Sequence, residues 1–173
     1  RILYEMLNVA EDDLDDVYGL MAVYYGMVRF IDDGLGQIID ALEALDLRKN
    51  TIVVFCSDHG DFMGEHRMQC KGGVFYDCLT RVPLIVSYPG EISTGVRDAS
   101  MVNLVDVVPT LFQLQGIEIP PTMQGQPLPT VTSTAPRDAT FSEYGTGGPL
   151  FRLEDLEQFP RPWGRQSLIQ SLQ

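Results

Sequence analysis

An Asp-His-Gly sequence that follows a short apolar run is the part of the chain best suited to chemistry. Residues 51–56 are mostly β-branched or apolar and lead directly into Ser57, Asp58, His59 and Gly60. A carboxylate oxygen beside an imidazole nitrogen is a mixed donor set that suits a divalent metal in a hydrolytic site. Ligands bind at the carboxyl ends of strands in open α/β sheets, so the position after a strand favours this interpretation.

Lys71, twelve positions beyond His59, adds a cation to the same stretch of sequence. A mobile ammonium group can neutralise charge that develops on a sulfuryl or phosphoryl oxygen during ester cleavage. The competing interpretation is a strand end whose polar residues only cap the next turn. The joint occurrence of Asp58, His59, His66 and Lys71 favours a site over that interpretation.

The elements around this segment predict an α/β fold with a mainly parallel sheet flanked by helices. Apolar residues at three- and four-residue steps predict a long helix that begins near Leu14 and ends near residues 46–50. The tyrosines and Phe30 on it are expected to pack in the core. The remaining predicted elements are strands at 51–56, 82–88 and 140–144, a helix at 104–114 that begins just before Pro109 and is closed by Gly116, and a loop at 119–137.

Composition excludes several classes of protein and leaves others open. Twelve basic against 24 acidic residues give a net charge of −12, which argues against a nucleic-acid partner but not against an anionic substrate of a metal site. No apolar run reaches the roughly 18 residues of a membrane helix, so no membrane partner is expected. Three cysteines form neither a disulfide framework nor a CxxC zinc pattern, and the default compartment is therefore a reducing one such as the cytoplasm.

Several segments in the same order resemble the sulfatase family, within the alkaline-phosphatase-like superfamily. The resemblance covers roughly residues 14–145 and implies a partial alkaline-phosphatase-like domain. Because the chain starts at Arg1, we expect an internal piece of a longer protein, with residues 1–145 as a partial catalytic domain and 146–173 as an irregular tail or the start of a further segment. The segments that carry the resemblance are 24–33, 51–55, Ser57-Asp58-His59-Gly60, Gly64-Glu65-His66, Lys71-Gly72, 81–85, 105–111 and Gly125.

The resemblance implies roles for four residues. Asp58 and His59 would be two ligands of a divalent metal, and Lys71 would contact the sulfate or phosphate oxygens of a small-molecule ester. His66 would either support the site through its neighbours or be a polar turn residue, and both interpretations stay open. An imidazole ligand favours manganese or zinc, whereas calcium, which prefers oxygen donors, is not excluded.

Two parts of the family pattern are absent from this sequence. The family's nucleophile is a Cys of a C-x-[PA]-x-R motif that becomes formylglycine, and none of Cys56, Cys70 and Cys78 has that context. We expect them to be buried packing residues. The formylglycine and two further acidic ligands are expected in a missing N-terminal part, so the isolated chain should be inactive.

The sequence therefore predicts part of a metal-dependent sulfuric ester hydrolase. One alternative is a phosphonate monoester hydrolase or phosphodiesterase on the same scaffold, and another is a non-catalytic module that binds metal through the same turn. A third is a structural half-domain whose exposed sheet edge would favour a homo-oligomer.

Overall fold

The computed structural model describes residues 14–132 and 135–143, and these form two compact units. The first contains residues 14–28, 59–82 and 143, and the second contains residues 29–58 and the described part of 83–142. The predicted tail at 146–173 lies outside the described residues. The elements are α1 (Leu14–Ala44), β1 (Val53–Cys56), β2 (Phe62–Met63), β3 (Gln69–Cys70), α2 (Asp77–Thr80), β4 (Leu84–Ser87) and α3 (Val107–Leu114), with short 3₁₀ turns at Arg48–Asn50, Glu65–Arg67 and Leu104–Asp106.

The long helix α1 is present and ends in a Schellman motif. The Leu47 amide donates to the Leu42 carbonyl at 2.8 Å and the Asp46 amide donates to the Glu43 carbonyl at 3.0 Å. Asp46 takes the left-handed position with φ 54°, which a short polar side chain tolerates better than most others. The predicted end near residues 46–50 is therefore close to the observed one.

The apolar face of α1 is largely exposed, contrary to the prediction of core packing. Phe30 is 80% exposed and Tyr25 is 66% exposed, whereas Val17 is buried. The periodicity identified the helix correctly, but a periodic face is buried only where another element packs on it. Among residues 17–44, Val17 is the only buried residue of this face. None of the described helices is both long and apolar enough to cross a membrane.

The strands β1 and β4, which the sequence predicted in a mainly parallel sheet, pair antiparallel. Val53 faces Ser87 and Cys56 faces Leu84, in a two-stranded sheet of the second unit. The described residues contain no parallel strand pair. A parallel pair needs a crossover, usually a helix that covers the sheet. The segment between these strands holds a small hairpin and the single turn α2 instead, so the prediction is corrected at this pair.

Helix α3 has the predicted start and end. It begins two residues before Pro109, where the missing amide hydrogen costs no helical bond. It ends at Leu114, and Gly116, with φ 67°, closes it, since the Ile117 amide donates to the Phe112 carbonyl at 2.8 Å. The predicted strand at 140–144 is wrong for its described residues 140–143, since the only bridge near them joins Met101 to Arg137.

The buried carboxylate of Asp106 fastens the following loop to the start of α3. One of its oxygens accepts from the Gln126 amide at 2.9 Å, and the other accepts from the Asn103 amide at 2.8 Å. The Arg137 guanidinium donates to both oxygens. Although burial alone would raise the pKa of Asp106, these hydrogen bonds and the Arg137 charge hold it below its usual value.

A second buried anchor lies one turn further along α3. The Thr110 hydroxyl donates to the Asp106 carbonyl at 2.6 Å and accepts from the Leu128 amide at 3.0 Å. Gly125 lies so close to this helix start that an added Cβ would be 2.0 Å from the Val105 carbonyl oxygen. The predicted loop at 119–137 is thus irregular but tied down at several points.

Candidate active site

A small hairpin in the first unit carries the predicted lysine. Strands β2 and β3 pair antiparallel, with Phe62 opposite Cys70. The chain reverses at Gly64, whose φ of 104° strongly favours glycine and whose amide donates to the Met68 carbonyl at 2.9 Å. The Glu65 carboxylate accepts from the Met63 amide at 2.6 Å and closes the turn. The hairpin brings the chain back beside its own start.

Three non-glycine residues of this hairpin hold left-handed backbone conformations. They are His66 with φ 55°, Arg67 with φ 59° and Cys70 with φ 63°. Each such residue costs on the order of 1 kcal/mol or more, and it persists only where surrounding contacts fix it. The hairpin contributes Phe62 and Met68 to a small core that also contains Leu79. Cys70 directly precedes Lys71, so its conformation sets the direction in which the lysine leaves β3.

Gly60 is required by space and not by backbone conformation. Its φ lies outside the left-handed region, but an added Cβ would be 1.8 Å from the Cys78 carbonyl oxygen. Its amide donates to the Leu79 carbonyl at 2.9 Å. The sequence has no local signal for this contact with α2. The contact fixes the backbone directly after His59.

The imidazole of His59 has a defined partner at each nitrogen. Nδ1 is 2.9 Å from the Gly60 carbonyl oxygen, and Nε2 is 2.8 Å from the Nζ of Lys71. Because a carbonyl oxygen can only accept, Nδ1 carries the hydrogen of the bond to Gly60. Nε2 then presents its lone pair, which accepts from the Lys71 ammonium. The hairpin thus brings together two of the predicted site residues, a half-buried histidine and an exposed lysine.

His66 contacts aromatic rings. Its ring stacks on Tyr76, with centroids 4.1 Å apart and planes inclined by 27°. Phe62 meets both rings edge-on, at 5.7 Å from Tyr76 and 6.4 Å from His66. The stack joins the turn of the hairpin to the residue before α2. Whether His66 also serves catalysis stays a prediction.

Asp58 is exposed and lies two residues after the end of β1. Asp58 belongs to the second unit, and the next residue, His59, belongs to the first. A carboxylate oxygen and an Nε2 lone pair are donors that fit a divalent metal. Within residues 14–132 and 135–143, no three His, Cys, Asp or Glu side chains gather as a metal site would need.

The cysteines differ from their predicted burial. Cys56 and Cys70 are exposed, and Cys78 is half-buried. The two exposed thiols lie at strand ends, where the short strands leave them uncovered. Burial, followed by the charges of Glu65 and Asp77, raises the pKa of the Cys78 thiol. A raised pKa keeps this thiol protonated and poorly nucleophilic, which fits a packing role.

Comparison with known proteins identifies the family of this chain. The sulfatase family model matches residues 5–117, more than half of the 173 residues, and the chain belongs to that family. It is 40% identical to arylsulfatase K of Mus musculus over 121 residues, which are 70% of this chain and 22% of that protein. The chain thus spans about a fifth of the length of this curated relative.

Solved structures that resemble the chain include two that are 30% identical to it. One is the phosphonate monoester hydrolase from Silicibacter pomeroyi, with 30% identity and a TM-score of 0.65 over 72% of this chain and 24% of that one. The other is a protein in complex with its substrate D-glucosamine-2-N,6-O-disulfate, with 30% identity and a TM-score of 0.59 over 69% of this chain and 26% of that one. The recognition made from the sequence motifs is confirmed by these likenesses.

Proposed function

We propose that this chain is part of a metal-dependent hydrolase of sulfuric esters, with Asp58 and His59 as metal ligands and Lys71 as the anion-binding residue. The observation that carries the proposal is the Lys71–His59 contact of 2.8 Å, which brings a cation to the nitrogen that we propose as the ligand atom, across twelve residues of sequence. Family membership and the likeness to a sulfated-sugar complex support a sulfate ester as the substrate.

The side chains divide the chemistry between them. His59 donates through Nδ1 to the Gly60 carbonyl, which orients the ring and leaves Nε2 as the ligand atom. Lys71 contributes a positive charge that neutralises the anionic non-bridging oxygens of the ester. A bound divalent metal would polarise an ester oxygen in the same place. His66, stacked on Tyr76, would support the hairpin that holds Lys71.

The nucleophile and the remaining ligands would come from residues beyond this chain. None of the three cysteines lies in the C-x-[PA]-x-R context from which the family makes formylglycine. We therefore expect the chain by itself to be inactive, and the activity belongs to the intact protein.

The second candidate is hydrolysis of a phosphonate or phosphate ester at the same residues. The likeness to a phosphonate monoester hydrolase, at 30% identity, favours it specifically. Both esters present anionic oxygens to a metal and a lysine, so these residues serve either substrate. Steady-state hydrolysis of an aryl sulfate and an aryl phosphonate by the intact protein decides between them through the ratio of kcat/KM.

The test of the site is metal content and ester hydrolysis of the intact protein and of variants. Asp58→Ala with His59→Ala should lose stoichiometric metal and activity, and Lys71→Met should lose activity by at least about a hundredfold. Asp32→Ala, an exposed change on α1, is the control and should keep both. Metal and activity that survive the double change would refute the assignment and leave the turn-capping interpretation.

A further inference from the structure

The lone pair on His59 Nε2 can either accept a hydrogen bond from Lys71 or bind a metal ion. The Gly60 carbonyl occupies Nδ1 at 2.9 Å, so the neutral ring has one remaining acceptor, at Nε2. The Lys71 Nζ lies 2.8 Å from that atom, within hydrogen-bonding distance. An imidazole nitrogen has a single lone pair in the plane of the ring. It can accept a hydrogen bond or bind a metal ion, and the two exclude each other.

We propose that Lys71 has a second role, as a positioning residue that holds His59 Nε2 and leaves it when that nitrogen takes a metal. The ammonium then becomes available for the anionic oxygens of the ester. This inference rests on the proposed assignment of His59 as a ligand. It couples two events at the site, because metal binding to His59 also frees Lys71 to contact the substrate.

The surroundings of Lys71 allow this exchange. Its side chain is exposed and has a flexible four-carbon stem, so the ammonium can move without disturbing the core beneath the hairpin. The His59 ring, in contrast, is half-buried and follows a backbone held by the Gly60–Leu79 hydrogen bond. The ring therefore stays in place while the lysine departs. The Nδ1 bond to Gly60 is compatible with either partner at Nε2.

Linkage gives the coupling a measurable consequence. A charge-assisted hydrogen bond at an exposed lysine is a competitor that should weaken metal binding by about tenfold. Removing the ammonium should therefore tighten metal binding. An anion that holds Lys71 away from Nε2 should do the same, and by reciprocity the metal should tighten binding of that anion by the same factor.

The experiment measures Mn²⁺ binding to the intact protein by calorimetry, with and without inorganic sulfate, for wild type, Lys71→Met and Lys49→Met. The chain contains two lysines, so Lys49, exposed and in the other unit, is a matched control. We expect Lys71→Met to bind Mn²⁺ about tenfold more tightly and Lys49→Met to bind as wild type does. Sulfate should tighten Mn²⁺ binding more in wild type than in Lys71→Met, and an equal effect in both would contradict the exchange.

A second readout reports the lysine directly. Acylation of each lysine by a soluble active ester, followed by mass spectrometry of the peptides, should show Lys71 modified faster with Mn²⁺ and Lys49 unchanged. Binding that requires His59 but leaves both the Lys71→Met affinity and the Lys71 acylation rate unaltered would overturn the exchange and keep the ligand assignment. Binding that survives His59→Ala as fully as it survives His66→Ala would overturn both.

Discussion

Replacing Asp106 by Asn should destabilise the second unit far more than an ordinary charge change. The carboxylate is 1% exposed and accepts four hydrogen bonds, from the amides of Asn103 and Gln126 and from both terminal nitrogens of Arg137. An asparagine has one oxygen and one NH₂ group, so in either orientation two of the four donors face another donor. The Arg137 guanidinium also loses its counter-ion.

The size of the effect follows from the burial of the pair. Removing one member of a buried ion pair costs about 3–5 kcal/mol because the other charge is left without compensation. The Arg137 side chain is 23% exposed, so water can solvate part of the guanidinium. We therefore expect a loss near the lower end, about 3 kcal/mol.

The same chemical change at an exposed pair provides the control. Arg29 and Asp33 in α1 form a pair of 2.8 Å in the same unit, with side chains 74% and 52% exposed. Asp33→Asn should cost no more than about 0.5 kcal/mol. Urea unfolding of wild type and both variants, at equal ionic strength and pH 7, gives the two losses. Equal losses for Asp106→Asn and Asp33→Asn would refute the claim that burial gives the Asp106 pair its strength.

Three other predictions concern the same anchors and the glycine next to the site. The pKa of folded Asp106 is below the usual 3.8, so the ionised carboxylate stabilises the folded protein above about pH 4, and this stabilisation is lost as the pH falls through the folded pKa. Urea unfolding at a series of pH values should therefore show stability falling more steeply toward acid in wild type than in Asp106→Asn. Thr110→Val should cost about 1–3 kcal/mol in urea unfolding, because the Leu128 amide is left buried without an acceptor, and a loss below 0.5 kcal/mol, about that of an exposed pair, would contradict this. Gly60→Ala should lower the free energy of unfolding by about 1–3 kcal/mol and reduce metal retention, because the added Cβ has no space. Gly36→Ala, with open space around it in α1, should raise the free energy of unfolding by up to about 1 kcal/mol. Thermal unfolding measures both, and similar shifts would show that the space at Gly60 is not limiting.

The sequence predicted well those features that depend only on neighbouring residues, such as helix ends and strands. Pro109 and Gly116 marked the two ends of α3 because each has a backbone preference that acts wherever the residue stands. The strands at 51–56 and 82–88 were also found, since β-branched runs are local signals. Their antiparallel pairing was not predicted, because it depends on the path of the 27 residues between β1 and β4. An apolar run does not indicate whether its strand pairs parallel or antiparallel.

Burial was predicted poorly where it depends on a distant partner. The periodic face of α1 contains Phe30, which is 80% exposed, and Cys56 and Cys70 are exposed at strand ends. Periodicity reports which residues would share a face, and hydrophobic residues gain stability only from the element that covers them. No local pattern says whether that element is present.

The candidate site shows the same division at the level of single residues. The donor atoms of Asp58, His59 and Lys71 could be proposed from residue type, but the groups that hold them could not. Gly64 meets a conformational demand, with φ 104°, and Gly60 meets a spatial one set by the Cys78 carbonyl. That carbonyl is a backbone group, which every residue has, so the residue type at position 78 does not predict the contact. A site built on backbone contacts of this kind is specified by the packing of α2 on the hairpin, and it is the position of α2 that determines where His59 presents its lone pair.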